Sequence, residues 1–195
     1  MGKCNVKKKK IYDIPMLAVR TCEWWQAVRY QANVFLDSFE YDDGGAFPWE
    51  KDESRSIFFA DRLFFILSIN NAIIFTRELN EALQKNGDNS INEIFQKFAP
   101  YETVIAHLRN MNIHADEYLE EIGKHQKDFS FTFQSGDFKT RLTAFHTFVD
   151  GNEKFMLGNV DIKEILLIFN DNIQQVKSIT GGVFFQYSSS PLNMP

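Results

Sequence analysis

The sequence predicts a mainly α fold: a helical bundle with a small β-hairpin or short antiparallel sheet in its C-terminal third. Apolar residues recur three or four apart over long stretches, the spacing that lines one face of a helix. Strand-like alternation is confined to residues 128–158. The chain of 195 residues is 44% hydrophobic and 24% charged, an ordinary globular composition with enough Phe for a sizeable core. One domain is expected over residues 13–187, between a basic leader at 1–12 and a flexible tail at 188–195.

The first helix is expected over 16–40. Ala18, Cys22, Trp25, Val28, Ala32, Phe35 and Phe39 share its apolar face, and Pro15 suits its start. An acidic loop follows over 41–53, with Gly44, Gly45 and Pro48 as breakers. Asp42, Asp43, Glu50, Asp52 and Glu53 lack the alternating ladder and closing Glu of an EF-hand, so no metal is assigned there. Ser54 caps a second helix over 54–84. Apolar residues surround that helix on nearly every side, which predicts a place in the middle of the bundle. Asp61 and Arg62 inside it need a stripe that reaches solvent, an internal ion pair, or a role in a site.

Asn86-Gly87-Asp88-Asn89 reads as a turn, and Ser90-Ile91-Asn92-Glu93 as a capping box. A helical stretch over 91–122 follows, interrupted and restarted by Pro100 and closed by Gly123. Phe129, Phe131 and Phe133 alternate as in a strand. Leu142–Val149, Asp150-Gly151 and Lys154–Leu157 read as a hairpin. Asp161 and Glu164 open a last helix over 161–179, with Ile162, Ile165, Leu166, Phe169, Ile173 and Val176 on one face. Val183–Tyr187 is a candidate short strand.

Charge and cysteine content narrow the function classes. The net charge of −5 is no general invitation to nucleic acid. Lys3, Lys7, Lys8, Lys9 and Lys10 crowd the first ten residues without an acid, so the remainder is more acidic still. That run reads either as a solvated leader or as an arm that touches RNA or lipid. No window approaches the roughly 20 uncharged apolar residues that span a bilayer, and the basic start has no apolar stretch behind it. Cys4 and Cys22 form no C-x-x-C pair, which suits a reducing, cytoplasmic setting.

Phosphate-loop, dinucleotide, nucleophile-elbow and zinc-protease motifs are absent. A polar, titratable stripe remains on the helix around residue 110. Asn110 and His114 lie one turn apart, His107 lies about two turns before His114, and Glu117 and Tyr118 extend the stripe. Arg109 is about 140° round the helix from His114, so two copies related by a two-fold axis would bring such groups together more readily than one.

Arg109-Asn110 followed by His114 resembles the R-x(4–6)-H motif of the HEPN superfamily (higher eukaryotes and prokaryotes nucleotide-binding). The resemblance is carried mainly by the helix around residues 101–122. Many toxin members place Tyr two residues after the His, where this chain has Asp116. Arg141 and His146 repeat the spacing, but in a strand-like setting. The resemblance implies a metal-independent endoribonuclease, without cofactor, that acts as a homodimer with a composite Arg/His cleft. It implies RNA as substrate, a toxin–antitoxin or antiviral-defence role, and an antitoxin or other regulatory protein as partner. His114 would be the acid/base, Arg109 the phosphate clamp and Asn110 an orienting hydrogen-bond partner. A non-catalytic helical adaptor that uses the acidic loop at 37–53 to bind a partner is the alternative.

Overall fold

The computed structural model describes residues 13–40, 52–114, 117, 122–124, 131–135, 138–142, 147–150, 154–157 and 160–179. Side chains are described for 13–35, 60–114, 117, 122–124 and 160–179. The expected leader, tail and strand at Val183–Tyr187 lie outside these residues, as does most of the acidic loop.

The fold is a mainly helical bundle. Its elements run α1 (Ile14–Glu40), α2 (Asp52–Lys85), α3 (Asn92–Ile113), β1 (Phe131–Ser135), β2 (Phe138–Leu142), β3 (Thr147–Asp150), β4 (Lys154–Leu157), β5 (Val160–Asp161) and α4 (Ile162–Ile179). The helices pack around a ring: α1 on α2, α2 on α3, α3 on α4 and α4 back on α1. The α1–α2 interface is the most extensive. The apolar faces read from the periodicity of α1 and α4 are the buried ones, from Ala18 to Phe35 and from Ile162 to Val176.

Trp25 of α1 sits at the junction of all four helices. Its ring meets Phe98 of α3 and Phe169 of α4 edge-on, with centroids 5.7 and 4.9 Å away. Phe98 and Phe169 also touch, at 4.7 Å. The indole N–H donates to Thr76 Oγ1 of α2 at 2.9 Å, and that hydroxyl donates to the Ala72 carbonyl. Beside it, Thr21 Oγ1 of α1 reaches the Phe75 carbonyl of α2 at 3.2 Å. The buried Trp25, Thr76 and Thr21 side chains thus all have hydrogen-bond partners, as groups removed from water require.

Helix α2 occupies a corner of the ring rather than its centre. Its all-round apolar pattern is broken by water on one side, where Phe64 is exposed. Arg62 is buried at 2% exposure, and loss of water pushes its pKa down to about 10. Of the roles open to it, a stripe that reaches solvent is thus ruled out. Burial also raises the pKa of neighbouring Asp61.

The α2–α3 connection is a turn, as expected. Gly87 adopts φ +78°, a conformation open to glycine at no steric cost. The Asp88 N–H bonds the Leu83 carbonyl and the Gly87 N–H bonds the Gln84 carbonyl, so α2 ends in a Schellman motif. The capping box at Ser90–Glu93 does not form. Ile91 is the N-cap residue and no side chain caps the helix. Burial of Ile91 in the core fixes that position, while the Ser90 N–H bonds Asp88 Oδ1 and its carbonyl accepts from Gln175 Nε2 of α4.

Pro100 does not divide α3, which is one continuous helix. The carbonyl that loses its donor belongs to Gln96, an exposed residue, so water can replace the missing bond. The helix ends at Ile113, well before the expected Gly123. Asn112 Nδ2 donates to the Leu108 carbonyl there, and Asn is a weak helix former because its amide competes for the backbone.

The C-terminal third carries the expected antiparallel β-structure with one more hairpin. β3 pairs with β4 through Asp150↔Lys154, the register of the expected Asp-Gly hairpin, and β5 pairs with β4. β1 pairs with β2 through Ser135↔Phe138. The single strand expected over 142–149 is thus the end of β2 and the start of β3. Val160 of β5 is buried and leads straight into α4. Asp161 Oδ1 then accepts from the Lys163 N–H, the cap read from the sequence.

Cys22 is fully buried on α1, and loss of water raises its thiol pKa to about 11. In a Cys4→Ser background, the native protein is expected to resist thiol reagents, with no acceleration between pH 8 and 9. Labelling should rise only with denaturant. Rapid native labelling would contradict this burial.

Candidate functional site

Arg109, Asn110 and His114 all lie on the last turns of α3, yet they do not form one cluster. Arg109 donates from Nε and Nη2 to Asn110 Oδ1, at 3.1 and 2.6 Å. This clasp holds the guanidinium along the helix and leaves its Nη1 edge for another acceptor. Among the described residues no carboxylate is ion-paired with Arg109.

His114 is the C-cap of α3, with φ −107° and ψ 44°. Its backbone N–H still bonds the Asn110 carbonyl at 3.0 Å. Its side chain is 58% exposed, and Nδ1 lies 3.6 Å from Glu117 Oε1. That is longer than a hydrogen bond, and it is an ion pair only when the imidazole is protonated. By helix geometry Arg109 and His114 are about 7.5 Å apart along the axis and about 140° apart around it. No contact within one chain joins them. Helix α3 ends at Ile113, and Glu117 lies beyond it; Asp116 and Tyr118 lie outside the described residues. His107 is half-buried, and His125 and His146 are outside them. Asp42, Asp43 and Glu50 of the acidic loop are outside them too, while Asp52 and Glu53 belong to the start of α2.

Arg109 instead looks into a cleft of about 210 Å³ between α2 and α3. Asn70, Ile73, Ile74 and Arg77 line it from α2, and Glu102 and Arg109 from α3. Arg77 Nη1 donates to Glu102 Oε1 in a short ion-paired hydrogen bond, with Glu81 Oε1 3.9 Å from Arg77 Nε. Asn70 is only 3% exposed.

Sequence reasoning did not find Asn70, Arg77 or Glu102. A signal existed: Asn70 and Arg77 are seven residues apart, as are Glu102 and Arg109. Seven residues bring a helix back to nearly the same side, so each pair forms a polar stripe that faces the other helix. Stripes of this kind are common on solvated helix faces, and only the packing of α2 on α3 identifies these two as partners.

No family model matches the chain, and no curated protein or solved structure matches it. Among the described residues no helix is long and apolar enough to cross a membrane.

The Arg77–Glu102 pair is half-buried, with side-chain exposures of 36% and 28%. A double-mutant cycle on Arg77→Met and Glu102→Gln should give a coupling of about 1 kcal/mol, at the upper end for exposed pairs. Strict additivity in chemical denaturation would contradict the pairing.

Proposed function

We propose that the protein is a metal-independent endoribonuclease of HEPN type that works as a homodimer. The observation that carries this reading is the Arg109–Asn110 clasp. It holds a guanidinium in place, with no carboxylate paired to it among the described residues, and it leaves the Nη1 edge to meet an anion. A phosphodiester suits that edge, because a guanidinium can donate to two phosphate oxygens at once. His114 lies exposed at the end of the same helix and supplies an imidazole, a side chain that can accept or donate a proton.

In this reading the 2′-hydroxyl of RNA loses its proton to an imidazole nitrogen of His114 and attacks the adjacent phosphorus. The bond from phosphorus to the 5′-oxygen breaks, and the partner's His114, in protonated form, supplies that oxygen with a proton. Arg109 carries the charge that builds on the phosphate oxygens. The products are a 2′,3′-cyclic phosphate and a 5′-hydroxyl. The separation of Arg109 from His114 within one chain favours a cleft made from two copies. Ile113, 53% exposed and adjacent to His114 in the chain, provides apolar surface of the kind a dimer covers. The wider role implied by the motif, a toxin or phage-defence effector held by an antitoxin or other regulator, rests on the resemblance alone.

The test is cleavage of single-stranded RNA in EDTA, with the ends analysed for cyclic phosphate. Arg109→Ala and His114→Ala should each lower the rate on the order of 10²–10⁴-fold, with circular dichroism and melting temperature unchanged. Undiminished cleavage by the folded His114→Ala variant would overturn the assignment.

A further inference from the structure

The cleft beside Arg109 holds more recognition chemistry than phosphate binding uses. At its α2 edge Arg77 and Glu102 cancel each other's charge. At its other end Arg109 contributes a cation that is paired with no carboxylate among the described residues. Ile73, Ile74 and Ala106 give the space between them an apolar wall. Asn70 also lines it, although nine-tenths of its surface and more is buried. Among the described residues its side chain makes one hydrogen bond, a long one of 3.4 Å from Nδ2 to Asn71 Oδ1. That leaves its Oδ1 as an acceptor and one N–H as a donor on one largely buried side chain that lines the cleft.

A ligand that satisfies all three features carries one negative charge, a flat apolar body and an edge with a donor beside an acceptor. A nucleotide has that combination. The volume of about 210 Å³ is below the range for drug-sized ligands, which limits an occupant to a single heterocycle. We infer that the α2–α3 cleft is a nucleobase subsite, in which Asn70 reads the edge of the base next to the phosphate held by Arg109. This rests on the proposed role of Arg109 as phosphate clamp. Adenine is the expected base, since a carboxamide pairs with it through two hydrogen bonds.

The probes are adenosine 3′-monophosphate, ribose 5-phosphate and inorganic phosphate, titrated calorimetrically into the full chain. Wild type should bind the nucleotide about tenfold or more tightly than either base-free phosphate. Asn70→Ala should remove that gap and leave the binding of inorganic phosphate in place. Ile74→Trp, at a half-buried position, should remove the gap by filling the cleft, and serves if the Asn70 variant fails to fold. Equal binding of nucleotide and ribose 5-phosphate by wild type would overturn the subsite, as would a gap that survives in Ile74→Trp. Nucleotide binding with the expected pattern but no RNA cleavage would sink the ribonuclease reading and leave the subsite standing. Cleavage that needs Arg109 and His114 yet ignores Ile74→Trp would sink the subsite alone.

Discussion

The structure depends on the need of one buried indole for a hydrogen-bond partner. A tryptophan ring supplies more apolar surface than any other side chain, but its N–H cannot be left dry and unbonded. Trp25 meets that need through Thr76 Oγ1, which sets how α2 is rotated against α1. Its faces and edges receive Phe98 and Phe169, which places α3 and α4. Four helices are thus referred to a single side chain. Because α2 is held through Thr76, its neighbour Arg77 faces α3. Because α3 is held through Phe98, Arg109, about three turns on, lies on the same side of the helix. The cleft is a consequence of the core.

This arrangement also bears on how an acidic chain could take the proposed nucleic-acid substrate. A net charge of −5 opposes loose binding along a basic surface. What the cleft offers is local: one guanidinium held by a neutral amide, next to a second that is neutralised by Glu102. Such a site binds by fit rather than by field. Its affinity would be modest for one copy, and a second copy would be needed to bring His114 to the same phosphate.

The helices were legible because each has a single dominant buried face. The spacing from Ala18 to Phe35 marks the buried side of α1, and the spacing from Ile162 to Val176 that of α4. The end of α3 was not legible, because Gly123 is the stronger local stop signal while the actual end follows from weak formers such as Asn112. Nor was the failure of the Ser90–Glu93 box, since the pull of Ile91 into the core is a tertiary effect. The place of α2 was misjudged for a related reason: a pattern apolar on all sides does not say which side water takes. Of the site, Arg109, Asn110 and His114 were readable as a motif. Their separation within one chain and the involvement of Asn70, Arg77 and Glu102 depend on how α2 meets α3.

The most direct measurement is residue-resolved hydrogen exchange on Trp25→Leu. If the indole joins all four helices, protection should fall together in α1, α2, α3 and α4, by about 3 kcal/mol or more. The amides around Arg109 should lose as much as those around Trp25 itself. Loss confined to α1, with wild-type protection retained through α3, would contradict the account.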